Sequence, residues 1–267
     1  MIPFQGRSPI LNIITNSCAL SARKLLKDFG EIENLQVSKK GTEEFAKHAI
    51  LTSQRVISEE LLNARPNWGI SIKGEPPVKK LTSDESWIIN PLDGLDNFKH
   101  GIPNISISIA AKRADKIIAA CIYDPIRKEL FFAENGSGAY MNDRRIRVSG
   151  QNKLDKAIVG VYFDSIDVKK IENDAFLFKI ANSILKNGCQ IRLSGNPTLD
   201  LAWLASGRLN GFIGLNLLLN QSLSGVLIIK EAGGFCTDFS MRDKIIYNNE
   251  ICAANPTIHS QMIKFFK

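Results

Sequence analysis

The stretch Trp87-Ile88-Ile89-Asn90-Pro91-Leu92-Asp93-Gly94-Leu95-Asp96-Asn97-Phe98 reads as a buried strand that ends at Asn90, then a tight Pro/Gly turn, then a helix starting at Gly94. Such a turn presents the Asp93 carboxylate, the Leu92 carbonyl and free backbone N–H groups to one point in space. Carboxylate and carbonyl oxygens suit Mg²⁺, which takes near-octahedral oxygen ligands at about 2.0–2.1 Å. Unpaired N–H groups at a helix start suit a phosphate. The same residues equally describe a polar loop in which Asp93 caps a helix. Residue types alone do not choose between the two.

Upstream of this stretch, the apolar spacing of Ile10, Ile14, Cys18, Leu25 and Phe29 predicts a helix over 10–29, and a second helix over about 42–63 is stopped by Arg65-Pro66-Asn67. Short strand-like runs follow at 68–72, 87–89, 105–111, 117–123 and 130–133, each bounded by Gly, Pro, Asn or Asp as in an antiparallel sheet. Gly136-Ser137-Gly138 and Asn142-Asp143 mark turns. From about 154 the rhythm alternates: strands at 157–163, 189–193, 212–215 and 251–254, with helices at 173–187, 199–206, 222–232 and the C-terminus. An α+β lobe over about 1–153 is thus followed by an α/β lobe over about 154–267. No long linker or repeat separates them, so residues 1–267 read as one compact unit.

Composition narrows the function classes. The chain has 267 residues, 34 Lys+Arg against 27 Asp+Glu for a net charge of +7, and 44% hydrophobic residues. Those values exclude a disordered tail, a fibre and a disulfide-dense mini-protein. The basic residues fall in short groups such as Lys39-Lys40 and Arg144-Arg145, too short for a nucleic-acid arm, and read as a solvated face. Five cysteines at 18, 121, 189, 236 and 252 form no C-x-x-C pair and read as reduced cytoplasmic thiols. His48, His100 and His259 are isolated in sequence, which argues against a His-based metal site. No signal peptide and no membrane span is expected. Trp203 reads as core rather than as a subunit contact.

The segment 87–98 resembles the signature of the inositol monophosphatase family, W-x-x-D-P-[IL]-D-G-T-x-N-F, and the resemblance extends along nearly the whole chain. Lys40-Gly41 with Phe45, Gly74-Glu75, Tyr123-Asp124-Pro125, Arg192-x-x-Gly195, Leu199-Asp200-Leu201-Ala202, and Ser224-Gly225 through Glu231-Ala232-Gly233-Gly234 follow the family's order. Within that family the chain resembles the branch of the bacterial extragenic suppressor proteins. The resemblance implies a layered α-β-α-β-α fold and Mg²⁺-dependent hydrolysis of phosphate monoesters. In that chemistry two or three metal ions clamp the phosphate and activate water. It also implies a homodimer, and the extragenic suppressor branch implies a transcription-complex partner.

Carried over residue by residue, the family's metal ligands fall on Glu75, the Leu92 carbonyl and Asp93, which are kept, and on Asn90 and Gln221, where the family has aspartates. The second Glu of the upstream element is Pro76, and the late W-D pair is Asn220-Gln221. Gly94 and Leu95 take the phosphate-binding positions, with Leu95 replacing the Thr that holds the nucleophilic water. Ile50 stands where its partner Asp is expected, and Lys47 where the Thr of that segment belongs. Gly195 and Asn196 fall at substrate-binding positions, and Gly214 replaces an acidic residue that contacts substrate hydroxyls.

These substitutions point one way. Four carboxylate ligands become two, Glu75 and Asp93, and an uncharged Asn90 would have to bridge two divalent ions roughly 3.5–4 Å apart. The water loses both its orienting hydroxyl and its proton acceptor, and a positioned base alone typically contributes ~10²–10⁴-fold. The expectation is therefore at most one weakly held Mg²⁺, impaired catalysis and a role through binding, which the resemblance to the extragenic suppressor branch implies to be in transcription antitermination. The alternative is an active phosphatase acting on inositol phosphate or a related sugar phosphate.

Overall fold

The computed structural model describes residues 8–35, 39–72, 84–163, 172–243 and 249–266. Gly74, Glu75 and Pro76 lie outside the described residues. Two long helices, α1 (Pro9–Leu35) and α2 (Lys39–Ala64), precede β1 (Gly69–Ile72), β2 (Glu85–Asp93), the short α3 (Leu95–Lys99), β3 (Ser106–Arg113), β4 (Lys116–Asp124), β5 (Glu129–Glu134), β6 (Ala139–Met141) and β7 (Arg144–Ile146). These seven strands form one sheet in sequential order, antiparallel except for the parallel pair β1–β2. The second sheet uses β8 (Ile158–Phe163), β9 (Gln190–Arg192), β10 (Gly211–Leu215), β11 (Phe235–Thr237) and β12 (Glu250–Ala254), in the order β11-β12-β10-β8-β9. Helices α4 (Glu172–Lys186), α5 (Pro197–Ala205), α6 (Leu219–Glu231) and α7 (Pro256–Met262) are the remaining α-helices among the described residues.

The layering follows from the two-residue period of the strands. On β3, Ile107, Ile109 and Ala111 pack with Ile14, Cys18 and Leu25 of α1 and Ile57 and Leu61 of α2. Ala110, of opposite parity, joins Leu201 and Leu204 of α5 and Ile228 and Ile229 of α6. On β10, Phe212 faces that same middle layer, while Ile213 packs with Ile180 and Ile184 of α4 and Ile258 and Met262 of α7. The order is helices, sheet, helices, sheet, helices. Trp203, only 8% exposed, belongs to the middle layer.

The structure corrects three local expectations. First, β2 does not end at Asn90 but continues to Asp93 through an irregularity: Asn90 pairs with Ser108 and Asp93 with Ser106, so Pro91 and Leu92 together oppose Ile107. Two residues opposite one is a β-bulge, which tolerates Pro91, since proline has no N–H for the ladder. Second, α1 runs past Phe29 and Gly30 to Leu35, because Ile32 still finds a buried seat. Third, the expected turns at 136–138 and 142–143 are present, but each leads into a three-residue strand, β6 and β7, that the sequence pattern does not mark.

All five cysteines are buried and unbridged, with Cys18 Sγ 3.3 Å from Cys121 Sγ between α1 and β4. Among the described residues no helix is long and apolar enough to cross a membrane.

Candidate active site

The bulge is held from outside and inside. Ser53 of α2 donates its hydroxyl to the Pro91 carbonyl at 2.7 Å and lies 2.7 Å from the Ser21 hydroxyl of α1. Gly94 then turns the chain with φ +77°, and a Cβ there would sit 2.5 Å from the Asn104 carbonyl oxygen. Only glycine meets both demands, since the left-handed conformation disfavours L side chains and this space is closed. The short α3 follows; Leu95 packs on the core shared with α1 and α2, and Asp96 points to solvent beside Lys99 at 3.4 Å.

Asp93 is buried at 1% exposure, and its partners come from the other lobe. The backbone N–H of Thr198, in the first turn of α5, donates to Asp93 Oδ2 at 3.0 Å. The Gln221 side chain, in the first turn of α6, donates from Nε2 to Asp93 Oδ1 at 3.1 Å. The orientation of that amide is fixed, because its Oε1 accepts the backbone N–H of Leu218 at 3.0 Å. Gln221 Nε2 also lies 3.4 Å from the Tyr162 hydroxyl on β8. The result is an N–H aimed at a carboxylate at the position where the resemblance places a second carboxylate.

Asn90 is fully buried. Its Nδ2 faces Thr198 Oγ1 at 3.5 Å, Thr198 Oγ1 donates to the Gln221 carbonyl at 3.1 Å, and Asn90 Oδ1 has no hydrogen-bond partner among the described residues. Asn220 Nδ2 donates to the Ile89 carbonyl at 3.1 Å, tying α6 to β2. Among the described residues, Asn90, Asp93, Thr198, Asn220 and Gln221 therefore form one amide-rich cluster around the Asp93 carboxylate.

Among the described residues, the donors gathered around Asp93 do not fit a pair of divalent cations. Among the described residues no three His, Cys, Asp or Glu side chains converge as a metal cluster. The Asp93 carboxylate already accepts hydrogen bonds on both oxygens, and the Asn90 amide oxygen adds an acceptor but no charge. Ile50, half-buried, and Leu95 both pack against the first-sheet core and offer no group to position or deprotonate a water.

The substrate-side positions are equally committed. Asn196 is fully buried and caps α5: its Oδ1 accepts Leu199 N–H and the Ser106 hydroxyl at 3.0 Å each, while Nδ2 faces the Asn104 carbonyl at 3.3 Å. Gly195 is exposed with φ +71°. At Gly214 a Cβ would overlap Leu217 Cδ1 and meet Phe212 Cε1 at 2.9 Å, so Leu217 fills the space an acidic side chain would need.

Asp200 was visible in the sequence as a motif residue, but its role was not. Its carboxyl is 1% exposed, takes the Ser194 hydroxyl at 2.5 Å, and lies 3.7 Å from the Arg192 guanidinium. Burial pushes its pKa up to about 7 against the opposing pull of Ser194 and Arg192, with Asp93 adding a further upward push. Arg192 and Arg127 both lie over the Trp203 ring, at 4.7 and 5.1 Å. Thr198, Ser194, Tyr162 and Ser53 went unnoticed in the sequence. Asn196-Pro197, an N-cap followed by Pro at the first helical position, was the signal that locates Thr198 at a helix start.

The profile of the inositol monophosphatase family matches residues 7–266. The chain belongs to the inositol monophosphatase family. It is 36% identical to the inositol-1-monophosphatase of Mesorhizobium japonicum, over 98% of this chain and 97% of that one. It is 32% identical to the putative Nus factor SuhB of Neisseria meningitidis, over 96% and 97% of the two chains. Among solved structures, the extragenic suppressor protein SuhB from Bartonella henselae superposes with a TM-score of 0.87 at 33% identity, covering 97% of this chain and 99% of that one.

Proposed function

We propose that this member of the inositol monophosphatase family has largely lost two-metal phosphatase chemistry and acts through binding. The observation that carries the reading is the Gln221 N–H donated to Asp93 Oδ1. An amide donor takes the place of a cation there, so the carboxylate is satisfied with no metal between the two side chains. Hydrogen bonds to charged groups are worth about 1.5–3 kcal/mol, so an ion binding Asp93 by displacing Gln221 starts with that deficit.

At most one Mg²⁺ is held weakly, with Asp93, Asn90 and the Leu92 carbonyl as ligands together with Glu75. Gly94 and Leu95 form the phosphate-facing turn, and Gly195 lies at its rim. The partner is a protein of a transcription complex, in keeping with the relatives named Nus factors. The protein works in the cytoplasm as a homodimer.

A second reading is favoured by the relatives named inositol-1-monophosphatase at 36% identity: an active Mg²⁺-dependent phosphatase on inositol phosphate or a similar sugar phosphate. Phosphate release from inositol 1-phosphate at saturating Mg²⁺ separates the two. The binding reading predicts background rates, unchanged in Asp93→Ala. Turnover well above background that Asp93→Ala abolishes establishes the enzyme instead.

A further inference from the structure

Further along α6 from Gln221, the helix and the β3–β4 hairpin enclose a cavity of about 260 Å³, close to the lower end of ligand pockets, about 300 Å³. Its floor is apolar: Leu223, Val226 and Leu227 on one stripe of α6, with Ile117 of β4 opposite. Leu223 is only 1% exposed although it lines the space, so the cavity reaches into the core.

The rim is charged and mostly self-satisfied. Lys230 binds both oxygens of Asp243 at 2.8 and 3.0 Å, and Lys112 pairs with Asp115 at 3.6 Å. Lys116 is the cation left over, making no ion pair among the described residues, and the Asn135 side chain stands at the same rim.

We infer that this cavity is a binding site for a small carboxylic acid with an unbranched or branched apolar body, seated with its hydrocarbon on Leu223, Val226 and Leu227 and its carboxylate toward Lys116 and Asn135. The chemistry selects this class. An apolar floor takes up no polyol, and a single unpaired ammonium matches one negative charge. A cationic head group would meet that ammonium with both rim carboxylates already engaged. The site is separate from the Asp93 cluster and does not depend on how that cluster works.

Titration calorimetry of the full chain with hexanoate tests it, with hexylamine and acetate as controls for charge and for the apolar body. Hexanoate is expected to bind saturably with a Kd of about 0.1–1 mM, in keeping with the efficiency of small ligands. Lys116→Ala, at an exposed position, should weaken it roughly tenfold or more, the worth of one charge-assisted hydrogen bond, while Lys153→Ala leaves it unchanged. Hexylamine and acetate should give no saturable heat. The proposal is overturned by absent saturable heat with hexanoate, by equal binding of hexylamine, or by unchanged affinity in folded Lys116→Ala.

Discussion

Replacing Gln221 by Glu keeps the length of the side chain and the acceptor for Leu218 N–H but turns a donor toward Asp93 into a second carboxylate. At the observed 3.1 Å, and at an effective dielectric constant near 20, two unit charges repel by about 5 kcal/mol. Taking up a proton is cheaper. A Glu with an ordinary pKa near 4.3 needs about 2.7 pH units of work at pH 7, or about 3.7 kcal/mol, and only about 1 kcal/mol at pH 5. The folded pair therefore binds one more proton than the unfolded chain, and stability falls as pH rises above about 4.3. The variant should be near wild type at pH 5 and about 3–4 kcal/mol less stable at pH 7, a drop in Tm of about 7 °C or more at this chain length.

Mg²⁺ bridging the two carboxylates should restore much of that loss at pH 7 while stabilising the wild type far less. Thermal unfolding at both pH values, with and without Mg²⁺, gives the answer. A variant whose deficit relative to the wild type is the same at pH 5 and 7, or a wild type stabilised by Mg²⁺ as strongly as the variant, would refute the view that Gln221 stands in for a cation.

Three further outcomes follow from the same geometry. Asp200, buried with its pKa raised to about 7, binds a proton in the folded state that the unfolded chain releases near pH 4. Wild-type stability therefore declines between about pH 4 and 7, by at most about 4 kcal/mol, and denaturant titrations of Asp200→Asn should show that slope flattened. Gly94→Ala forces an L side chain to φ +77° against the Asn104 carbonyl and should cost more than about 2 kcal/mol, read as a lower denaturation midpoint. Replacing Asn90, Leu95, Gln221 and Ile50 together by Asp, Thr, Asp and Asp should raise Mg²⁺ affinity measured by calorimetry; a folded quadruple variant with no gain would count against the site geometry.

Much of the architecture was legible because periodicity reports burial. The seats of Ile14, Cys18 and Leu25 along α1 are the spacing that predicted that helix, and the apolar run at 105–111, bounded by turn residues, marked β3, where Ile107, Ile109 and Ala111 now share one buried face. What escaped notice has little period to show. The strands β6, β7 and β11 have three residues each, fewer than two repeats of any pattern. The bulge at Pro91 and Leu92 looked like a strand end because proline and the following Asp-Gly are also turn residues.

At the candidate site the sequence displayed the missing carboxylates but not what replaced them. That Gln221 donates to Asp93 depends on Leu218 N–H holding the other end of the amide, a contact made only once α6 is seated. Asn196 fell at a substrate position by resemblance, and its role as a buried helix cap became apparent only when Ser106 and Asn104, ninety or more residues away, were placed beside it.

Counting bound ions tests the central claim most directly: equilibrium dialysis of the wild-type chain against Mn²⁺, with free ion read by electron paramagnetic resonance. An amide-capped Asp93 predicts no more than one ion per chain, bound weakly. Two tightly bound ions per chain would contradict it.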